Sequence, residues 1–194
     1  MKNIAVLVSG GGTNLQAVID KTESGYINGK VCVVISNKPG VYSLERAKKH
    51  NIPAVVVERK DFESEEAFND KILEVLSQYN ADVIALCGYL KILSEKIVKK
   101  YEKKIVNVHP SLIPKFCGMG MYGLKVHQAV LDAGESETGA TVHFVDENAD
   151  TGEIIFQDKC SVDKGMTAEE LQLKVMKIEH VLMPKAIKML CEQD

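Results

Sequence analysis

The sequence has little of what marks membrane-bound, secreted or nucleic-acid-binding proteins. The apolar run near its N-terminus, Ile4–Val8, has only five residues, too few for a signal peptide or a membrane span. Its five cysteines are widely spaced and form no CxxC pair, so we expect a reduced, cytoplasmic protein without a zinc cluster. Lysine and arginine (24 residues) do not outnumber aspartate and glutamate (27 residues), which argues against bulk nucleic-acid binding.

Internal repeats, low-complexity segments and linkers are also absent, which bears on domain organisation. A globular domain has roughly 100–200 residues, and this chain has 194. Hydrophobic residues make up 45% and charged residues 26%, the balance of a globular rather than a disordered chain. We therefore expect one domain over 1–194, as a monomer or a weak homodimer.

Five short apolar runs before residue 110 predict parallel strands. Each run is continuous rather than alternating, as in strands that are buried on both faces. Amphipathic segments between them predict helices, with N-caps at Ser64 and Ser94 and capping boxes at Thr13–Gln16 and Thr167–Glu170. Strands that alternate with helices form right-handed βαβ units. The predicted strands are Ile4–Val8, Val31–Ile35, Ala54–Val57, Val83–Cys87 and Ile105–Val108.

The sequence changes character after residue 110. Two prolines and three glycines in Pro110–Gly123 predict a long irregular loop. A helix over about residues 125–133 follows, then two strands, Thr138–Val145 and Ile154–Val162, and a helix that we expect Pro184 to kink or end. The predicted fold class is therefore α/β: a single-domain, doubly wound, mostly parallel, Rossmann-like sheet with an antiparallel C-terminal extension.

A glycine-rich segment, Ser9–Asn14 (SGGGTN), joins the first predicted strand to the first helix. Glycines let the backbone approach a ligand closely, and a helix N-terminus favours negative charge. The segment predicts a phosphate site to which Thr13 and Asn14 add polar side chains; the alternative is a plain tight turn. A dinucleotide is disfavoured because Leu15 stands where a third glycine would fall, and the Walker pattern is absent too.

Two polar residues mark the end of the fifth predicted strand. Asn107 and His109 are two positions apart, so they project to the same side of an extended strand. An amide donor beside a titratable imidazole suits stabilisation of an oxyanion and delivery of a proton to it. The alternative is an asparagine that is merely hydrogen-bonded and a histidine that merely ends the strand.

A polar loop between the last two predicted strands presents several carboxylates. Its first residues resemble a calcium loop, but an EF-hand needs glycine at the sixth position and glutamate at the twelfth, where this chain has Thr151 and Gln157. What remains is a loop in which Asp150 precedes Thr-Gly, and a carboxylate there would favour the charged form of a nearby histidine. A solvated turn is the alternative interpretation.

The other histidines give no clear metal signal. We expect His127 and His143 to be structural, or at most to support site residues. The spacing of His109, His127 and His143 leaves a zinc site open, although no HxxxH pair supports it.

Four motifs together carry a resemblance to a known family. They are VLVSGGGTNLQAVID, CGYLKILS, NVHPSLIPKFCG and TGATVHFVDENADTG. The chain resembles the phosphoribosylglycinamide formyltransferases of purine biosynthesis, within the wider formyltransferase superfamily, from about Asn3 to Leu190. HPSLIP and the aspartate loop mark only the superfamily, whereas SGGGTNLQ is similar to the narrower family.

The resemblance implies transfer of a formyl group from 10-formyltetrahydrofolate, a consumed cosubstrate, to the amine of phosphoribosylglycinamide, with no metal. It implies a single formyltransferase domain in which residues 1–110 form the phosphate-binding βαβ half and residues 111–194 the folate-binding and catalytic-loop half. Small molecules would be its only ligands, with no nucleic acid and no membrane. The implied catalytic residues are Asn107, His109 and Asp150; substrate-binding residues are Gly12, Thr13, Asn14 and Glu179; folate-binding residues are Leu90, Lys91, Ile92, Leu93, Asn107 and Thr141.

The match departs from the family pattern at several positions, among them Glu65, Lys91 and Met176, and leaves alternatives. Many relatives carry a basic residue at the position of Glu65 and arginine at the position of Lys91, and the loop Gly118–Gly123 is longer than in some members. A methionyl-tRNA formyltransferase or a folate hydrolase of the same superfamily is one alternative, although each usually carries an extra domain. A non-catalytic phosphometabolite-binding module is another, and it would leave Asn107, His109 and Asp150 without a purpose.

Overall fold

Seven strands form one sheet in the computed structural model, which describes residues 1–193. The sheet order is β3-β2-β1-β4-β5-β6-β7; β1 to β5 run parallel, whereas β6 pairs antiparallel with both β5 and β7. The predicted fold class is confirmed. The strands are β1 (Lys2–Val8), β2 (Gly29–Ser36), β3 (Ala54–Val56), β4 (Val83–Cys87), β5 (Ile105–His109), β6 (Glu137–Phe144) and β7 (Ile154–Ser161).

Six helices cover the two faces of this sheet. One apolar cluster joins one face of β1 and β4 to the first and last helices, and a second cluster joins the opposite face to the third and fourth helices. Burial on both sides explains why the central strands are continuous Val/Ile-rich runs. The helices are α1 (Thr13–Glu23), α2 (Tyr42–Lys49), α3 (Glu65–Gln78), α4 (Glu95–Lys100), α5 (Leu124–Asp132) and α6 (Ala168–Cys191), with a 3₁₀ turn at Arg59–Asp61.

The strand order reverses between β1 and β4, and this places the functional loops. β2 lies on one side of β1 and β4 on the other, so their connections leave in opposite directions and open a crevice at the carboxyl ends of the strands. The glycine segment follows β1, Gly88–Leu93 follows β4, and Pro110 follows β5. A hydrogen bond from the Leu90 N–H to the Ser9 hydroxyl (2.9 Å) joins the first two loops.

Several local expectations need correction. The helix α1 begins after Gly12, which adopts the left-handed conformation (φ 73°) and has no side chain to cap with, so the capping box at Thr13–Gln16 is wrong. The capping box at Thr167–Glu170 and the cap at Ser64 are confirmed, whereas Ser94 precedes α4 without a side-chain cap bond.

Two further expectations are corrected in part. β3 is a short edge strand whose side chains are half-buried or exposed, because only β2 pairs with it. Pro184 does not end α6, which continues to Cys191. Within residues 1–193, the structure contains no helix with both the length and the apolar composition to cross a bilayer.

Candidate active site

A cavity of about 310 Å³ opens at the carboxyl ends of β4 and β5. Its size falls within the range of small-molecule sites, which runs from about 300 to 1,000 Å³. One wall is Leu90–Leu93, a second is the loop Gly118–Gly123, and the floor carries Asn107, His109 and Asp150. Asn14 and Glu179 complete it at the end nearest α1. The cavity thus collects residues from almost the whole length of the chain.

Asn107 and His109 reach the cavity floor because β5 alternates its side chains. The two residues lie on the same face, as predicted, and the antiparallel partner β6 places His143 opposite Asn107 and Thr141 opposite His109. The Asn107 amide nitrogen lies 3.3 Å from Oδ1 of Asp150 and 3.1 Å from Nε2 of His143. The strand pairing therefore sets both an amide and a second imidazole beside the carboxylate.

Asp150 sits in the connection between β6 and β7 with its backbone in the left-handed region (φ 57°). Aspartate and asparagine tolerate this conformation better than most side chains, since their short polar groups bond locally. Its Oδ2 lies 3.4 Å from Nδ1 of His109 and accepts a hydrogen bond from the Gly118 N–H at 2.9 Å. Its Oδ1 lies 3.4 Å from Nε2 of His143. The structure brings the three predicted catalytic residues together.

The Asp150 side chain is only 12% exposed, yet its surroundings favour its charged form. Burial by itself raises the pKa of this carboxyl, but the hydrogen bond from His143, the charge of His109 and the Gly118 N–H outweigh burial and lower the pKa below its usual value. The site therefore holds a carboxylate anion among imidazole and amide donors at neutral pH.

The His109 ring is held at both nitrogens. Nε2 faces the carbonyl of Phe116 at 2.8 Å and must donate to it, since a carbonyl oxygen only accepts. Nδ1 can then donate to Asp150 only when the ring carries both protons. Phe116 adopts a positive φ (52°), unusual for a residue with a side chain. The residues on either side of Cys117 thus clamp the pair, with the Phe116 carbonyl on the histidine and the Gly118 N–H on the aspartate.

Asn14 and Glu179 form the polar end of the cavity. Nδ2 of Asn14 donates to Oε2 of Glu179 at 2.6 Å, while Oδ1 of Asn14 is buried without a hydrogen-bond partner. Burial raises the pKa of Glu179, and the Asn14 bond offsets only part of that effect. A buried acceptor without a donor costs about 1–3 kcal/mol, so this pair is suited to a ligand that supplies hydroxyl or N–H groups.

The other residues predicted to bind phosphate lie just outside this cavity wall. Gly12 is half-buried at the start of α1 and Thr13 is exposed beside it, whereas Asn14 lines the cavity. The first turn of α1 has no acidic residue and no side-chain cap. Its free N–H groups can therefore serve an anion at the cavity's edge.

Of the residues predicted to bind folate, all but one line the cavity. Leu90 and Ile92 are about half exposed at its mouth, and Lys91 lies between them. Thr141 is fully buried and does not line the cavity, because its hydroxyl donates to the Ser111 carbonyl and accepts from Ile113 and Gln157. Its expected contact with folate is not supported by this position.

Glu65, the departure from the family pattern, does not line the cavity either. Its carboxylate accepts from Nε of Arg59 at 2.6 Å in an exposed ion pair. The acidic residue is therefore partnered on the surface rather than turned toward the site.

Two histidines, His127 and His143, belong to the site more directly than the sequence predicts. His143 contacts Asn107 and faces Asp150, so it belongs to the site itself. The sequence does not reveal this position, because it depends on how β6 pairs with β5. His127 on α5 also lines the cavity, with Nδ1 buried and unpartnered. Burial and the charge of His109 lower the pKa of His127 to about 4, which keeps its ring neutral.

A metal site does not emerge from these histidines. Among residues 1–193, no group of three or more His, Cys, Asp or Glu side chains has the arrangement to hold an ion. The arrangement of His109, His127 and His143 that spacing left open is therefore not found in that part of the chain. That the reaction needs no metal stays a prediction.

Doubly wound sheets bind ligands at the carboxyl ends of their strands, and the amide and imidazole gathered there suit stabilisation of an oxyanion formed at a carbonyl carbon. The sequence model described as "Formyl transferase" matches residues 2–187. The chain belongs to this formyl transferase family.

Named relatives narrow the comparison. The chain is 42% identical over 192 residues to the phosphoribosylglycinamide formyltransferase of Haemophilus influenzae, covering 99% of this chain and 88% of that enzyme. It is 40% identical to the trifunctional purine biosynthetic protein adenosine-3 of Chironomus tentans, covering 97% of this chain but only 14% of that much longer protein.

The structural comparison agrees with these relatives. Glycinamide ribonucleotide transformylase 1 from Symbiobacterium toebii superposes with a TM-score of 0.93 at 37% identity. The match covers 99% of this chain and 88% of that one. The arrangement of strands and helices in this chain is thus shared along its length with a solved member of the family.

Proposed function

We propose that this chain transfers the formyl group of 10-formyltetrahydrofolate to the amine of phosphoribosylglycinamide, a step of purine biosynthesis. The observation that carries the proposal is the gathering of Asn107, His109 and Asp150 within 3.4 Å contacts on the floor of one cavity. The names of the relatives support the choice of substrates.

The cavity offers a separate place for each part of the substrates. We assign the phosphate to the N–H groups of Gly12, Thr13 and Asn14, where no carboxylate competes. We assign the ribose hydroxyls to the Asn14–Glu179 pair, where the unpartnered oxygen of Asn14 can accept a hydrogen bond from a hydroxyl group. The folate lies along the apolar wall Leu90–Leu93. Residues 1–110 thus supply the phosphate loop, and residues 111–194 supply the loop that carries Asp150.

The proposed chemistry begins with attack of the substrate amine on the formyl carbon. A bond forms between the amine nitrogen and that carbon, and the carbonyl oxygen becomes an oxyanion that Asn107 and His109 stabilise by hydrogen bonds. Asp150 lies against Nδ1 of His109 and holds the ring in position. When the intermediate collapses, the bond to N10 of the folate breaks; the amine loses a proton and N10 gains one.

The geometry adds one requirement to this scheme. Nε2 of His109 donates to the Phe116 carbonyl, so that nitrogen reaches the oxyanion only after the contact opens. Nδ1 stays beside Asp150 during the change, which preserves the orientation of the ring. Binding of the formyl group would therefore replace the Phe116 oxygen with the substrate oxygen.

The cellular setting is part of the same proposal. All five cysteines are free thiols, which suits a reducing compartment, and we propose the cytoplasm. We also propose that the protein is a monomer or a weak homodimer.

One assay tests the function and separates it from its alternatives. Purified protein is given 10-formyltetrahydrofolate with and without phosphoribosylglycinamide, and the release of deformylated folate is followed. We expect turnover that depends on the amine substrate. Release without the amine would indicate a hydrolase, and no release in either sample would favour a binding module; both results contradict the proposal.

A further inference from the structure

Arg46 on α2 lies behind the glycine loop (Gly10–Gly12), although it does not line the cavity. We infer that Arg46 is a positioning residue that orients this loop for the phosphate of the substrate. The inference rests on the phosphate subsite of the proposed function and deepens it. It concerns the backbone of the loop, since its three glycines offer the ligand nothing but their peptide groups.

The carbonyls of all three glycines are tied down by neighbouring groups. The Gly10 carbonyl accepts from the Ser43 N–H at 3.2 Å, and the Gly12 carbonyl accepts from the Gln16 N–H at 2.9 Å. Between them, the Gly11 carbonyl accepts from Nε of Arg46 at 2.8 Å. Gly11 is thus the one glycine whose carbonyl is held by a side chain rather than by backbone.

This contact fixes the direction of the next N–H group. In a planar trans peptide the carbonyl and the N–H point in opposite directions, so a Gly11 carbonyl turned toward Arg46 turns the Gly12 N–H away from it. The Gly12 N–H is the first of the uncapped donors of α1. Arg46 therefore holds the peptide that begins the proposed anion site.

Arg46 is itself fixed by two further neighbours, Gln16 and Tyr42. Its NH1 donates to Oε1 of Gln16 on the first turn of α1 at 3.1 Å, and its guanidinium stacks on the Tyr42 ring at 4.9 Å. The loop packs so closely on α2 that a Cβ at Gly12 would lie 2.7 Å from the Ser43 Cβ. The planar fork of arginine can bridge Gly11 and Gln16 at once, which a lysine ammonium cannot do in the same geometry.

The test compares Arg46→Gln and Arg46→Lys with wild type and with Arg59→Gln. Arg59 is a matched control because it too donates through Nε and NH1, to Glu65 and to the Phe62 carbonyl, away from the cavity. Binding of ribose 5-phosphate and of ribose is measured by calorimetry, and KM and kcat are measured with phosphoribosylglycinamide. Thermal melts verify that each variant is folded.

We expect Arg46→Gln to weaken ribose 5-phosphate binding and raise the KM for phosphoribosylglycinamide by about ten-fold, the size of one hydrogen bond to a charged group. The kcat and the affinity for ribose stay unchanged. Arg46→Lys behaves like Arg46→Gln, because charge alone does not orient the Gly11 peptide, and Arg59→Gln behaves like wild type.

Two results would overturn the inference: an unchanged affinity for ribose 5-phosphate in folded Arg46→Gln, or full affinity in Arg46→Lys. If Arg46→Gln does not fold, Gln16→Leu removes the second support of the guanidinium and is expected to weaken phosphate binding in the same direction. If ribose 5-phosphate binding depends on Arg46 but the wild-type protein shows no formyl transfer, the proposed function is contradicted and this inference stands.

Discussion

Asn14 and Glu179, 165 positions apart in the chain, share a hydrogen bond of 2.6 Å at the polar end of the cavity. The bond joins the first turn of α1 to the middle of α6, the longest helix of the fold. Asn14 donates its amide to Glu179, and its own carbonyl oxygen is left buried without a hydrogen-bond donor. The pair is therefore arranged for a hydroxylated ligand at some expense of stability.

The first prediction concerns Glu179→Gln. Burial raises the pKa of Glu179, so the folded protein holds this proton more tightly than the unfolded chain does. Glu179 therefore makes its full contribution to stability below its pKa in the unfolded chain, and this contribution is lost as the pH rises through its pKa in the folded protein. Glutamine keeps the acceptor for Asn14 without the buried charge. We expect a higher melting temperature for Glu179→Gln at about pH 8, with a smaller difference at about pH 5.

The same substitution should impair substrate binding, so Glu179→Gln separates the effect of Glu179 on stability from its effect on function. Removing the carboxylate weakens the contact to the ribose hydroxyls, so the KM for phosphoribosylglycinamide rises while the KM for the folate does not. Melting curves at both pH values and steady-state kinetics check the prediction. A Glu179→Gln protein that is less stable than wild type at high pH would contradict the assignment of a buried charge.

A second prediction concerns His109→Ala. Loss of one oxyanion donor typically lowers the rate by about 10²–10³. The side chain is only 5% exposed, but its contacts are to Asp150 and to one carbonyl, so we expect the fold to persist. Measured kcat should fall by that factor with both KM values little changed. Near-normal kcat in a folded variant would remove His109 from the chemistry.

A third prediction uses the caps of two helices as a matched pair. Thr167 forms a complete capping box with Glu170 at the start of α6, whereas Ser94 precedes α4 without a side-chain cap bond. Loss of an N-cap typically costs about 1 kcal/mol of stability. We expect Thr167→Ala to lower the free energy of unfolding by about this amount and Ser94→Ala by less. Denaturant titrations measure both, and an equal loss would contradict the difference in capping.

Much of the fold follows from the sequence because the central strands are buried on both faces. The run Val83–Cys87 becomes β4 with the predicted bounds, and Ile105–Val108 falls one residue short of β5. Edge elements are less predictable, since β3 pairs on one side only and its apolar residues are partly exposed. The expectation that Pro184 ends α6 is wrong, since the helix continues past this buried proline to Cys191.

The candidate site divides in the same way. Asn107, His109 and Asp150 could be found because each is a polar residue at the end of an apolar strand or in a loop beside one. His143 was undervalued because its position beside Asn107 depends on the antiparallel register of β5 and β6. The Phe116 carbonyl and the Gly118 N–H are backbone groups, so the pattern of side chains does not predict their contacts. Thr141 faces inward because its hydroxyl is used by the loop at Ser111.

The carboxylate of Asp150 is the group on which the account depends most. Asparagine is the cleanest replacement, since it keeps the side-chain shape and tolerates the left-handed backbone at this position (φ 57°). Asp132→Asn serves as the control, because Asp132 is exposed at the end of α5 and bonds only to Gln128 among side chains. Both variants should be folded at neutral pH. Asp150→Asn should be the less stable of the two, because the substitution removes the carboxylate that lies beside His109.

The most direct measurement is the single-turnover rate of formyl transfer to phosphoribosylglycinamide, with the enzyme in excess over 10-formyltetrahydrofolate. We predict that Asp150→Asn slows this rate by about 10² or more, as loss of a group that holds an oxyanion donor should, and that Asp132→Asn transfers at the wild-type rate. Transfer by folded Asp150→Asn at the wild-type rate would show that His109 works without its carboxylate and would contradict the account.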